Sequence, residues 1–66
     1  MVILKKNDVC MYVDEDNEDN LLGELVIVVK MFCYNGMNLV LCQYEEDGQT
    51  IMRNIWRCDL VKIGEL

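Results

Sequence analysis

ELVIVVKMFCYNGMNLVLCQYEEDGQTIMRN, residues 24–54, is the stretch that decides the fold. Three β-rich runs are separated by Asn35-Gly36 and by Asp47-Gly48. Both central positions of a type I′ turn need positive φ, so an Asn-Gly or Asp-Gly pair between β-rich runs is the strongest short-range hairpin signal. Strands are expected over Glu24–Cys33, Asn38–Tyr44 and Gln49–Asn54.

The two turns fix a register, because a slip of one residue moves every side chain to the other face. With Asn35-Gly36 as a two-residue loop, Met31 faces Val40, Val29 faces Cys42 and Ile27 faces Tyr44. With Asp47-Gly48 as another, Tyr44 faces Ile51 and Val40 faces Ile55. Two turns placed independently thus predict one core face, holding Val29, Met31, Val40, Cys42, Tyr44 and Ile51. Arg53, opposite Cys42, breaks the pattern and is expected at an edge.

Working outward, Asp8–Val13 (DVCMYV) reads as a first strand and Asp14–Asn20 (DEDNEDN) as a charged loop. Ile55–Asp59 fits a single helical turn, and Leu60–Ile63 a short fifth strand. A three-stranded meander alone leaves its apolar face open, so strands one and five must cover it. The expected fold is all-β: one domain over residues 1–66, a five-stranded barrel with one short helical turn before the last strand.

Sixty-six residues suffice for one small domain, which buries only about 60% of the surface its unfolded chain exposes. Hydrophobic residues make up 53% of the chain, enough for one core but not for a deep substrate cavity as well. No apolar run reaches the length of a membrane-spanning helix. The start, MVILKK, lacks the order of a signal peptide, so a cytoplasmic location is expected. Cys10, Cys33, Cys42 and Cys58 form no CxxC pair, and histidine is absent. Two disulfides, in any of three connectivities, would imply export; the expectation is reduced thiols acting as small core hydrophobes.

Twelve acids against six bases give a net charge of −6. Nucleic-acid binders present a basic patch, so direct binding of nucleic acid is not expected, and neither is a membrane partner. The field fits a basic protein surface, which includes the surface of a nucleic-acid-binding protein. Without histidine the commonest acid–base group is missing, and no cofactor, no metal and no enzymatic activity are expected. An EF-hand reading of the acidic loop fails, since Asp19 and Leu25 stand where Gly and Glu are needed.

The order KKNDVCMYV, polar loop, LLGELVIVVKM, two hairpins and IWRCDLVKI resembles the SH3-like small-barrel superfold. KKNDV, Gly23 and the ending DLVKI look like KOW- or Tudor-type members. The resemblance implies that Asp14, Glu15, Asp16, Glu18 and Asp19 occupy the place of the acidic loop with which SH3 domains meet basic peptides. The ALYDY motif is absent and Leu39 stands where a tryptophan would open the third strand, so a polyproline groove is not implied.

The candidate partner-binding residues are therefore Asp14, Glu15, Asp16, Glu18 and Asp19, then Glu45, Glu46 and Asp47, with Trp56 as an apolar anchor. Carboxylates spaced along one surface can imitate a phosphate backbone, as in some phage-encoded inhibitors of host defence. The expected function is a small acidic protein-binding module or inhibitor. Two other expectations stand beside it: a KOW/Tudor-like module in a nucleic-acid-associated assembly, and a structural subunit that forms homo-oligomers through its strand edges.

Overall fold

The computed structural model describes residues 3–13 and 23–66. Five antiparallel strands, β1 (Asp8–Tyr12), β2 (Leu25–Tyr34), β3 (Met37–Glu46), β4 (Gln49–Trp56) and β5 (Leu60–Glu65), form one sheet in the order β4-β3-β2-β1-β5. A single 3₁₀ turn, Arg57–Asp59, separates β4 from β5. The chain is all-β as expected. The outermost strands β4 and β5 do not pair with each other, so the sheet is not closed.

Both expected hairpins are present with the expected turn chemistry. Asn35 and Gly36 have φ of 51° and 77°, and Asp47 and Gly48 have φ of 51° and 79°, the left-handed pair that a type I′ turn requires. The β3–β4 register matches the expectation, with Tyr44 opposite Ile51, Val40 opposite Ile55 and Cys42 opposite Arg53. Arg53 lies on an edge strand, as its charge suggested.

The β2–β3 register holds only from the turn to Lys30. Met31 faces Val40 and Lys30 faces Leu41, but Val28, not Val29, faces Cys42, and Ile27 faces Gln43. Val29 is an extra residue, a β-bulge that bends the strand. Beyond it the inward face changes from Ile27 and Val29 to Val26 and Val28, which are fully buried. Val29 is only half-buried and Met31 is 41% exposed, which corrects the expected core face at both positions. Asn7 docks at this bend: its N–H donates to the Val28 carbonyl at 2.8 Å, and its own φ is 75°.

The core joins Val26, Val28, Val40, Cys42, Tyr44 and Ile55 to Cys10, Tyr12, Leu60 and Leu4, with Ile51 packed against it. Leu4 precedes every strand, yet it is 1% exposed. Only two of the four cysteines serve as core hydrophobes. Cys10 and Cys42 are buried, Cys33 and Cys58 are exposed, and all four are free thiols. Burial pushes the Cys10 thiol up and the Cys42 thiol up to about 12. Among the described residues, no helix is long and apolar enough to cross a membrane.

Asp8 is fully covered and is the one buried charged residue described. Its Oδ2 accepts the Lys5 N–H at 2.8 Å, and its Oδ1 lies 3.3 Å from the Lys62 ammonium. Lys62 also donates to Glu65 Oε1 at 3.1 Å, and Lys5 Nζ to Glu65 Oε2 at 3.2 Å. These four side chains clasp the first residues of the chain to β1 and β5.

Candidate functional site

The β3–β4 turn carries three of the expected residues, Glu45, Glu46 and Asp47, all exposed. The type I′ turn forces them out at the tip, since the strands end there and the core side is closed by Tyr44. Glu45 is held by its cross-strand partner: Thr50 Oγ1 donates to Glu45 Oε1 at 2.7 Å.

Asp14, Glu15, Asp16, Glu18 and Asp19 lie outside the described residues. The base of their segment is well defined. Gly23 N–H donates to the Tyr12 carbonyl at 2.9 Å, and Tyr12 N–H donates to the Glu24 carbonyl at 3.0 Å. Val13 N–H bonds the Asp59 carbonyl at 2.9 Å. Gly23 has φ of 81°, a conformation costly for any residue with a Cβ, which explains a glycine at this re-entry into β2.

Glu24 and Glu45 line one depression of about 330 Å³, floored by Val9, Leu25, Ile27 and Gln43 and bounded by Tyr44 and Leu66. Two acids far apart in sequence thus share one depression with Val9, Leu25 and Ile27, and Glu24 also belongs to the base of the acidic segment. Glu24 is not among the residues that the sequence singles out, because at the head of an apolar run it reads only as the first residue of a strand. The floor is not singled out either, because the bulge at Val29 is what turns Leu25 and Ile27 outward.

Trp56 does not join this group. It ends β4, whereas the acidic turn precedes its first residue, Gln49, so roughly 23 Å of extended strand separates them. The side chain is 39% exposed, opposite Leu39 on the outer face of the sheet. It lines a separate depression of about 490 Å³ with Gly36, Met37, Asn38, Arg57 and Cys58. Arg57 is positioned there by a 2.9 Å bond from its guanidinium to the Leu60 carbonyl.

A five-stranded antiparallel sheet with an acidic, apolar-floored depression at one end defines a small all-β domain. Compared with known proteins, the chain matches no family model, no curated protein and no solved structure.

Proposed function

We propose that this chain is a small SH3-like β-barrel module that docks an acidic surface on a basic protein partner, such as a nucleic-acid-binding protein. The meander with its last strand paired to its first, and the 3₁₀ turn just before that strand, support the barrel reading. The observation that carries the functional reading is that Glu24 and Glu45 line one depression with the apolar side chains of Val9, Leu25 and Ile27.

Such a site suits a lysine or arginine side chain. The aliphatic stem lies on Val9, Leu25 and Ile27 while the charged head meets the carboxylates. None of the six bases lines this depression, and Lys5 and Lys62 are engaged by Glu65 and Asp8. Nine of the twelve acids fall in the run Asp14–Asp19, at Glu24 and in the run Glu45–Asp47. Charges grouped in this way along the chain attract a cationic partner and raise the association rate more than the affinity.

Fluorescence anisotropy at low ionic strength tests the reading with two probes, a labelled Lys/Arg-rich peptide and a labelled single-stranded DNA. Saturable binding of the peptide with none of the DNA is the expected outcome. Tighter binding of the DNA would overturn it.

A further inference from the structure

Among the described residues, strand β4 is an open edge with few of the usual protections. Natural edges are blunted by charges, prolines, bulges or short length. β4 has eight residues, no proline and an unbroken register with β3. Its one charged residue, Arg53, lies opposite buried Cys42 and so faces the core side, the single edge-blunting charge on this strand. β5, the other edge, carries Lys62 and Glu65, includes Gly64, and has a register shift against β1. Among the described residues β4 has β3 as its sole hydrogen-bonded neighbour.

The turn decides which backbone groups this edge presents. In a two-residue hairpin the residues flanking the turn exchange both hydrogen bonds, and bonded pairs then alternate along the strands. Gln49, Ile51, Arg53 and Ile55 therefore bond β3. Thr50, Met52, Asn54 and Trp56 direct their N–H and C=O groups to the open side.

We propose that two copies of this chain pair β4 to β4, antiparallel, about a two-fold axis at Met52, giving one continuous ten-stranded sheet. The centre is set by the strand. Met52 meets Met52, Thr50 meets Asn54 and Ile51 meets Arg53 across the axis, so most of β4 is paired with neutral or apolar neighbours. An axis at Thr50 or Asn54 would leave about half the strand unmatched. Charge favours the same register. Two chains of net charge −6 repel each other, yet this pairing sets the turn Asp47–Gly48 of each copy beside Trp56 and Arg57 of the other. An acid and an arginine thus stand near each other at both ends of the new ladder. Met52, 50% exposed, and Trp56 lose surface on the outer face, while the Glu24–Glu45 depression stays open.

Light scattering after size exclusion, from ~10 μM to ~1 mM protein, reads the assembly across the range of weak to moderate dissociation constants. The mass should rise with concentration from 7.7 kDa toward twice that value. Met52→Lys, at an exposed side chain, places like charges face to face on the axis and should raise the dissociation constant at least ~10-fold. Amide hydrogen exchange of the wild-type chain gives a second readout that needs no variant. Thr50, Met52 and Asn54 should become protected as concentration rises, while Ile51 and Arg53 are protected throughout. A mass of 7.7 kDa at every concentration would overturn the proposal. So would a dimer in which the Thr50, Met52 and Asn54 amides exchange freely.

Discussion

Asp8 Oδ1 lies 3.3 Å from the Lys62 ammonium, joining the first residue of β1 to the middle of β5 across the edge of the core. Burial pushes the Asp8 carboxyl up, but the Lys5 N–H bond and the nearby Lys62 outweigh it and hold the group below its ordinary value of 3.8. Hydrogen bonding to Glu65 raises Lys62 above 10.5; burial opposes the rise and Asp8 adds to it.

The sign of each shift sets a pH window. A depressed carboxyl pKa contributes stability that is fully present above the unfolded value and is lost as pH falls through the folded one. A raised lysine pKa contributes stability that is fully present below 10.5 and is lost as pH climbs through the folded value. Urea midpoints should therefore fall below about pH 4 and again at strongly alkaline pH. Asp8→Asn keeps the Lys5 bond but removes the charge, so it should flatten the acid limb. An unchanged acid limb would show that the clasp does not govern acid unfolding.

The bulge makes a test in adjacent residues. Val28→Ala opens a cavity at a fully buried site and should cost about 2–3 kcal/mol, whereas Val29→Ala, at a half-buried site, should cost about 1 kcal/mol or less. Equilibrium denaturation of the two variants decides the matter. Equal losses, or the reverse order, would mean that β2 runs straight into the core without the bulge.

This pair also shows where the sequence was legible. Asn35-Gly36 and Asp47-Gly48 demand a backbone that few other dipeptides adopt, so both hairpins and the whole β3–β4 register could be read. Leu25–Val29 is apolar at every position and carries no alternation, so nothing local specified which residues turn inward. The bend coincides instead with a contact from Asn7, more than twenty residues away, whose N–H bonds the Val28 carbonyl. Asp8 was hidden for the same reason: its burial depends on Lys62 and Glu65 at the far end of the chain. At the candidate site the acids of the turn could be read from composition. Glu24 and its apolar floor could not, because they follow from the bulge.

The thiols should divide into two classes. Cys33 and Cys58 are exposed and should react quickly with a disulfide reagent in the native protein. Cys10 and Cys42 are buried, with raised thiol pKa values that suppress the thiolate, and should react only on unfolding. Two fast and two slow equivalents without reductant is the expected count. Four fast equivalents would contradict the packing of Cys42 against Val40.

Neutralising Asp14, Glu15, Asp16, Glu18 and Asp19 together, to Asn and Gln, should leave the fold intact, since like charges in one segment repel. Each exposed pair contributes roughly 0–1 kcal/mol to affinity, so the effect should appear in the rate of association. Stopped-flow mixing with a Lys/Arg-rich peptide should show a marked slowing at low salt and little at high salt, where screening already hides the charges. Equal rates at low salt would remove this segment from the binding surface.

In the proposed function, basic ligands meet the end of the sheet where Glu24 and Glu45 line a depression with Val9, Leu25 and Ile27. Amide chemical-shift mapping with a Lys/Arg-rich peptide tests it most directly, on the wild type and on a Glu24→Gln, Glu45→Gln variant. Saturable, salt-sensitive shifts centred on Glu24, Leu25, Ile27 and Glu45, lost in the variant, are the expected result. Shifts centred on Trp56 and Arg57 that persist in the variant would contradict it.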